Sequence, residues 1–303
     1  MINGFVVIDK PAGITSHDVV SRVRRILGTR KVGHTGTLDP FATGVLPVAV
    51  NDGTKVIPFL DEGRKCYEAL MCLGVTTDTL DMTGTILSES DSSCITREQF
   101  IACFSDFTGP LSQIPPMYSA IKQNGQPLYK LARQGIEVER TARDVEIFSI
   151  ELLSFDLPHA AIRVVCSRGT YIRTLADDIG RQLGCGAALQ ELRRTASGPF
   201  RIEDAVSLTD LETAAGEGRV ESLSLSPLLA LAHLTEIPLT MAGAEGLRFG
   251  RAPSWDATLQ KTPVVCSAET IVRLTFEGSL VAVARLVPKC GADAAIVLKR
   301  VFL

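Results

Sequence analysis

The 303-residue sequence lacks the features that mark several classes of protein. No stretch approaches the roughly 20 uncharged apolar residues that a helix needs to cross a bilayer. The first residues lack the basic region and long apolar core of a signal peptide. The eight cysteines form no Cys-x-x-Cys pair and there are only four histidines, so a zinc site is not expected. Scattered thiols are typical of a reducing compartment, and we therefore expect a cytoplasmic protein without a membrane segment or a metal.

Positive charge is not in excess either, because the formal net charge at pH 7 is −3. Phosphate contacts dominate nucleic-acid affinity, so this balance argues at first sight against an RNA partner. The distribution of charge matters more than its sum. The cations fall into three groups: Arg22, Arg24, Arg25, Arg30 and Lys31; Lys122, Lys130, Arg133, Arg140 and Arg143; Arg168, Arg173, Arg181, Arg193, Arg194 and Arg201. Acidic residues gather separately at 203–221. Each group could be an ordinary solvated face, but together they favour a local RNA track that the acidic stretch faces away from.

Residues 33–47, GHTGTLDPFATGVLP, are the most informative segment. They place one carboxylate, Asp39, among glycines, threonines and prolines. Glycine permits unusual backbone angles and Pro40 fixes the chain just after the acid, so the segment is predicted to be an ordered loop. Asp39 could be a catalytic carboxylate, or Asp39-Pro40 could merely begin a turn. The local chemistry leaves both interpretations open.

Several further segments bear on this choice. They are DKPAG at 9–13 with Thr15 and Ser16, KCY at 65–67, TDTLD at 77–81 with Gly84, CSRGTYIR at 166–173 and LRRT at 192–195. Together with GTLDP at 36–40, these segments occur in the order found in the TruB family of tRNA pseudouridine synthases. The chain resembles that family over nearly its whole length.

The resemblance implies a reaction and its catalytic residues. The family isomerises the T-loop uridine at tRNA position 55 to pseudouridine, without a cofactor or metal. By the match, Asp39 is the nucleophile, attacking either C6 of the ring or C1′ of the ribose. Arg173 pairs with that acid and keeps it ionised, which a dry pocket would otherwise oppose. Tyr67 stacks on the target uracil and is a candidate for removing the C5 proton.

The resemblance also implies substrate-binding residues. His34 helps to hold the T loop with its target nucleotide flipped out, Tyr171 borders the pocket, and Leu192 gives it an apolar wall. If its segment is extended, Tyr171 points the same way as Arg173. Asp81 resembles a family acid that positions RNA or neighbouring residues. Lys10 and Pro11 are predicted to brace the active-site loop against the first strand.

The pattern of strands and helices predicts an α+β fold, because strands dominate and helices do not alternate with them. The resemblance sharpens this to a mixed, largely antiparallel sheet with flanking helices, followed by a small C-terminal PUA-like β-barrel. We expect a catalytic domain at 1–230, with a thumb-like insertion at about 113–140, and an RNA-binding domain at 231–303. Predicted strands are 4–9, 65–73, 162–166 and 279–286, and predicted helices are 17–27, 96–104, 128–133 and 171–183.

The expected partner is the T arm of tRNA, bound by a monomer that needs no protein partner. Three alternatives remain: a tRNA-folding factor whose catalysis is incidental, a guide-RNA-dependent enzyme of a larger particle, and a hydrolase using Asp39 and Asp81 as an acid/base pair. The second usually carries basic extensions at its ends, and nothing else in the sequence points to the third.

Overall fold

A long mixed sheet and a smaller second sheet organise the chain. The computed structural model describes residues 2–61, 63–123, 125–260, 267–289 and 292–302. The helices are α1 Ser16–Leu27, α2 Gly53–Val56, α3 Arg97–Ala102, α4 Leu128–Ala132, α5 Ile172–Gln182, α6 Leu208–Gly216, α7 Pro227–Ala230 and α8 Met241–Arg248. The strands are β1 Gly4–Lys10, β2 Val32–His34, β3 Thr43–Val50, β4 Arg64–Leu73, β5 Val75–Thr77, β6 Ile86–Glu89, β7 Gly109–Gln113, β8 Lys122–Gln123, β9 Gln126–Pro127, β10 Arg143–Asp156, β11 His159–Ser167, β12 Ala187–Ser197, β13 Phe200–Arg201, β14 Ser224–Leu225, β15 Thr235–Pro238, β16 Thr270–Phe276, β17 Ser279–Lys289 and β18 Ala292–Val301.

The large sheet has ten strands, and the order along its main path is β14-β1-β3-β12-β4-β11-β10-β7, with β13 beside β12 and β2 beside β3. Its neighbouring strands are antiparallel except for β12 and β3, which run parallel where Arg194 lies opposite Gly44. On its other side β12 places Arg194 opposite Tyr67 of β4. The middle of the sheet therefore brings the L-R-R-T segment against two other motif segments. The predicted largely antiparallel α+β fold is confirmed.

Gly44 makes the parallel pairing possible. Its φ is +98°, a conformation that side-chain-bearing residues rarely adopt, and a Cβ atom there would lie 2.2 Å from the carbonyl oxygen of Arg194. Only glycine fits this close approach of two backbones. The end of the Asp39 loop thus joins the sheet at the position where Arg194 lies.

The main core lies between this sheet and helices α1, α3, α5 and α6. Val19 and Val23 of α1 and Leu175 and Ile179 of α5 are essentially inaccessible to solvent and pack in one cluster with the strands. Helix α1 begins with a reciprocal capping box between Thr15 and Asp18, and it ends at a left-handed Gly28. Such caps satisfy the unpaired backbone groups at helix ends, so the sequence located these boundaries well.

Helix α5 corrects one detail of the sequence analysis. The segment is helical from Ile172, and Tyr171 is the extended residue immediately before it. Arg173 therefore lies in the first helical turn. The common direction expected for Tyr171 and Arg173 required an extended segment, and that condition is not met, because side chains turn by about 100° per residue in a helix.

After Gln113, the last residue of β7, the chain leaves the large sheet. After β7 the chain forms the two-residue strands β8 and β9, which pair only with each other among the described residues, and then the five-residue helix α4. It returns to the sheet at β10. Residue 124 lies outside the described part of the chain.

The second sheet has the order β15-β16-β17-β18, with β15 parallel to β16 and the other pairs antiparallel. Leu280 and Val283 of β17 pack in one cluster with Phe5 and Phe200, so the two sheets share apolar contacts. Residues 231–260, 267–289 and 292–302 show no closed barrel. The PUA-like barrel and the boundary at residue 230 stay predictions.

The described ranges contain no helix that is both long and apolar enough to cross a membrane. They also contain no group of three or more His, Cys, Asp or Glu residues arranged to hold a metal ion. Six cysteines in these ranges are free thiols, whereas Cys266 and Cys290 lie outside them.

Candidate active site

Asp39 lies on the loop between β2 and β3, and the side chain of Lys10 anchors that loop. Lys10 is fully buried. Its Nζ donates hydrogen bonds to the carbonyl oxygens of Pro11, Pro40 and Ala42 at 2.9, 3.1 and 2.7 Å. A buried ammonium is stable only when its donors are used, and here the loop backbone uses them. Lys10 braces the loop against β1, as the sequence analysis predicted.

Arg194 is a second buried anchor of the same loop. Its Nε donates to the carbonyl of Val45 at 2.8 Å, and its Nη1 and Nη2 donate to those of Thr37 and Gly36 at 3.4 and 3.1 Å. The side chain is completely inaccessible to solvent. The sequence analysis counted Arg194 among surface cations. The available signal was its position inside an alternating strand segment, where the neighbouring Arg193 points to the opposite face.

Ser16, the first residue of α1, fixes the loop at a third point. Its Oγ donates to the carbonyl of Leu38 at 3.1 Å and accepts from the Leu38 amide at 2.9 Å. The residue before Asp39 is thus held at both backbone groups. Three anchors from β1, α1 and β12 define the direction of the Asp39 side chain, and such preorganisation is what positioning a reacting group requires.

Arg173 lies beside Asp39 and is itself held from several sides. Its Nε is 3.0 Å from Asp39 Oδ2, and its Nη1 is 3.3 Å from Asp81 Oδ2. The Nη1 atom also donates to the carbonyl of Thr79 at 2.8 Å, and Nη2 donates to that of Tyr118 at 2.7 Å. One guanidinium therefore bridges two carboxylates and two backbone carbonyls.

The two carboxylates differ in exposure. The side chain of Asp81 is 4% exposed, whereas that of Asp39 is 33% exposed. Asp81 Oδ1 also accepts hydrogen bonds from the hydroxyl of Thr79 at 2.9 Å and the amide of Thr83 at 3.0 Å. The oxygens of Asp81 are thus occupied by Arg173, Thr79 and Thr83, whereas the carboxylate of Asp39 is partly open to the cleft.

Charge and burial act against each other at Asp39. Burial raises the pKa of the Asp39 carboxyl above its ordinary value, and the nearby charge of Asp81 adds to this rise, while Arg173 and Lys10 oppose it. Burial likewise lowers the pKa of Lys10 to about 8, with Arg194 lowering it further and Asp39 acting in the other direction. The cations around Asp39 therefore limit a shift that would otherwise leave the carboxyl protonated.

An open cleft of about 1790 Å³ contains the site. All six residues selected from the sequence line it: Asp39, Tyr67, Arg173, His34, Tyr171 and Leu192. Residues 118–121, Tyr129 and Arg133 of the 113–140 insertion also line it. The volume exceeds the roughly 300–1,000 Å³ of ordinary small-molecule pockets, which suits a macromolecular substrate that inserts one residue.

The aromatic and apolar members of the lining are largely buried. Tyr67 of β4 is 7% exposed and Leu192 is 6% exposed. Burial raises the pKa of the Tyr67 phenol, against a smaller opposing effect of Arg194. Burial also raises the pKa of Tyr171, whose hydroxyl interacts with Ser119. Both phenols are therefore neutral at physiological pH.

His34 is the last residue of β2, and burial lowers the pKa of its imidazole, with Arg194 and His17 adding to the effect. Its Nδ1 is buried and has no hydrogen-bond partner in the described part of the chain. A neutral imidazole facing the cleft is suited to contact a substrate.

The cations of the three groups defined from the sequence differ in their position relative to the cleft. Arg133 and Arg193 line the cleft, but Arg193 also forms a bidentate pair with Asp9, at 2.7 and 3.1 Å. Arg22, Arg25, Arg30 and Lys31 are exposed on and after α1. Within the described chain, none of residues 203–221 lines the cleft, which is consistent with an acidic stretch that faces away from it.

Comparison with known proteins identifies the family. The model of the TruB family pseudouridylate synthase N-terminal domain matches residues 24–172, and that of the tRNA pseudouridylate synthase B C-terminal domain matches residues 173–232. A tRNA pseudouridine synthase B of Geotalea uraniireducens is 53% identical over 94% of this chain and 92% of its own. The chain belongs to the TruB family. A relative in Geobacter sulfurreducens with the same name is 52% identical over 93% of each chain.

Two solved structures similar to this TruB-family chain are parts of larger complexes. A chain of a Cbf5-Nop10-Gar1 complex superposes with a TM-score of 0.75 at 28% identity, covering 99% of this chain and 85% of that one. A chain of an H/ACA RNP bound to a substrate RNA containing 2′-deoxyuridine gives a TM-score of 0.75 at 26% identity, with the same coverage. The similarity extends over both sheets of the present fold.

Proposed function

We propose that this protein is a tRNA pseudouridine synthase that isomerises the T-loop uridine at tRNA position 55. The observation that carries the proposal is the pairing of a partly exposed Asp39 with the buried Arg173 on the wall of a cleft wide enough for RNA. Family membership and relatives named tRNA pseudouridine synthase B support the substrate.

The isomerisation needs little more than these residues. The N1–C1′ bond breaks, the uracil turns, a C5–C1′ bond forms, and the C5 proton is exchanged for one on N1. The reaction consumes neither water nor electrons. Asp39 would form and then release a covalent bond to the substrate, at C6 or at C1′. Arg173 would hold Asp39 ionised and oriented, while Asp81 holds Arg173.

Tyr67 would act first as a stacking surface. A buried neutral phenol suits an aromatic face on which a flipped base rests, and such stacking contributes about 1–3 kcal/mol per base. Because its pKa is raised, Tyr67 carries a proton at neutral pH. It could accept the C5 proton only as its own proton leaves, so any role as a base requires coupled proton transfers.

The other selected residues would bind the substrate. Leu192 would give the base an apolar wall, Tyr171 would border it, and the neutral His34 would contact the T loop around the flipped nucleotide. RNA loops are commonly recognised in this way, by shape and by splayed, stacked bases.

Two larger parts of the chain would contribute to tRNA binding. Residues 113–140 would close over the T arm as a thumb, a role supported by Tyr129 and Arg133 on the cleft. Residues 231–303 would form a PUA-like RNA-binding domain after a catalytic domain at 1–230. We expect a cytoplasmic monomer that acts without a guide RNA or an obligatory protein partner.

Tritium release tests the proposal. A tRNA transcript labelled at C5 of uridine is incubated with wild type, with Asp39→Asn, and with Asp156→Asn, which changes an exposed acid remote from the cleft. We expect wild type and Asp156→Asn to release label equal to the amount of tRNA, and Asp39→Asn to release none. A transcript with cytidine at position 55 should release none with any variant.

The result that overturns the proposal is absence of release by wild type that still binds tRNA. That outcome would favour the tRNA-folding alternative, which uses the same surface. Release by Asp39→Asn at the wild-type rate would instead retain the enzyme and exclude Asp39 as its nucleophile.

A further inference from the structure

The N-terminus of helix α5 depends on a side chain from a distant part of the sequence. The side chain of Tyr171, the residue before the helix, makes no capping hydrogen bond to the residues that the structure describes. Instead, the amide group of Gln113 binds the Tyr171 backbone at both ends. The Tyr171 N–H donates to Gln113 Oε1 at 2.8 Å, and Gln113 Nε2 donates to the Tyr171 carbonyl at 3.0 Å.

Gln113 occupies a defined place in the fold. It is the last residue of β7, at the point where the chain leaves the large sheet for the 113–140 insertion. It is paired with Arg143, the first residue of the returning strand β10. The residue is only 5% exposed. A buried amide with both polar atoms used is oriented far more strictly than a surface glutamine.

The same short stretch also holds Arg173 directly. Arg173 follows Tyr171 by two residues, in the first turn of α5. Its Nη2 donates to the carbonyl of Tyr118, five residues after Gln113. The beginning of the insertion therefore holds both the backbone that carries Arg173 and the guanidinium itself.

We propose that Gln113 is a positioning residue of the synthase reaction: by holding the Tyr171 peptide, it sets the place of Arg173 against Asp39. This inference rests on the proposed function. Gln113 does not line the cleft and has no contact with Asp39, so its effect passes through α5. Without its amide, the Tyr171 N–H loses its partner and the Tyr171 carbonyl keeps only its helical bond from the Leu175 N–H, so the first turn of α5 is held less tightly. A shift of about 1 Å in a reacting group costs up to roughly 100-fold in rate.

A displaced Arg173 would leave a signature in the pH profile. The charged and titratable groups that act on Asp39 or are acted on by it are Arg173, Asp81, Lys10, Tyr67 and Tyr171. Among them Arg173 has the largest lowering effect on the pKa of Asp39. If Arg173 moves away, that pKa rises, and the acidic limb of kcat/KM moves to higher pH.

The test compares wild type with Gln113→Ala, Gln113→Met and Gln182→Met. Gln113→Met keeps the length and volume of the side chain, so the fold is preserved while both hydrogen bonds are lost. Gln182→Met is the matched control, because Gln182 is the last residue of α5 and its amide binds Asp106 on the surface. For both Gln113 variants we expect kcat to fall on the order of 10- to 100-fold. The dissociation constant for tRNA should stay near the wild-type value, and the acidic limb should move to higher pH.

Gln182→Met should match wild type in all three measurements. The inference is overturned if Gln113→Met retains the wild-type kcat, if its kcat falls while the acidic limb stays in place, or if only tRNA binding weakens. An inactive wild type would instead overturn the proposed function, and this inference with it.

Discussion

The loop that carries Asp39 and the 113–140 insertion both line one cleft, but they are built in different ways. The loop is held by Lys10, Arg194 and Ser16, which are all buried and bind its backbone. The start of the insertion is also anchored, because the carbonyl of Tyr118 accepts from Arg173. Its later part consists of the two-residue strands β8 and β9 and the five-residue helix α4, in which Leu128 is the buried residue. The difference indicates that the reacting group is fixed before substrate arrives, whereas this later part is free to adapt to the RNA.

Buried cations are an unusual means of holding a loop. Lys10 and Arg194 each donate to three backbone carbonyls, so the dipoles of these carbonyls stabilise the two positive charges. Four of these six carbonyls, those of Gly36, Thr37, Pro40 and Ala42, belong to the Asp39 loop, while Pro11 follows β1 and Val45 lies in β3. The cations thus supply hydrogen bonds that a neighbouring strand would otherwise provide, and they also bring positive charge near Asp39.

Removing Arg194 should have the largest effect, because it releases the anchored loop. In Arg194→Met two loop carbonyls and the carbonyl of Val45 in β3 lose a charged donor, and we expect a loss of at least about 3 kcal/mol in the free energy of unfolding. Activity per folded molecule should fall on the order of 100-fold, because Asp39 loses its fixed direction. Urea denaturation and tritium release measure the two effects.

Arg193→Met is the control, since Arg193 is the neighbour of Arg194 and forms a half-exposed pair with Asp9. Exposed pairs contribute about 0–1 kcal/mol, so its stability should be nearly unchanged. Its tRNA affinity should fall while kcat is kept. Equal losses of stability in the two variants would contradict the anchoring role of Arg194.

Deprotonation of Lys10 should loosen the loop at alkaline pH. The pKa of Lys10 is about 8 in the folded protein, so above that pH its Nζ loses one donor and its charge. We expect kcat/KM to fall as pH rises through about 8, while Lys10→Arg, which keeps its charge, should lose this limb. An alkaline limb that is identical in Lys10→Arg would assign it to another group, such as the substrate uracil.

The free energy of unfolding should respond to the deprotonation of Lys10 in the opposite sense to activity. The lowered folded-state pKa means that the unfolded chain binds more protons between about pH 8 and pH 10.4. The contribution of Lys10 to stability therefore rises across that window while activity falls. Thermal unfolding of wild type against Lys10→Arg over this range measures the difference.

Holding Asp39 ionised should lower the free energy of unfolding of wild type relative to Asp39→Asn. Because its pKa is raised in the folded protein, wild type loses stability relative to Asp39→Asn as pH rises from about 4 through the folded-state pKa. We therefore expect Asp39→Asn to be more stable than wild type at neutral pH. Wild type that is clearly more stable than Asp39→Asn at pH 7 would show that the pair with Arg173 outweighs burial.

The sequence predicted the fold and the cleft lining well, for physical reasons. Capping residues such as Thr15 and alternating strand patterns are local signals, and the motif segments carry the identity of Asp39, Tyr67 and Arg173. Gln113 and Arg194 were not identified, since their partners are backbone groups 58 and 149–158 residues away. Hydrogen bonds to distant carbonyls leave no pattern in a single sequence. The direction of Tyr171 relative to Arg173 depended on one helix boundary, which is the least certain feature of such patterns.

The smallest effect is expected on the adaptable side of the cleft. Arg133 lies over the ring of Tyr129, 5.6 Å from its centroid, on the helix of the insertion, and both residues line the cleft. If Arg133 contacts a phosphate, Arg133→Met should weaken tRNA binding a few-fold and reduce the slope of log affinity against log salt by about one. Its kcat and unfolding free energy should match wild type, because no loop anchor is touched. A large fall in kcat with unchanged salt dependence would mean that the insertion, like the Asp39 loop, is part of the fixed catalytic structure.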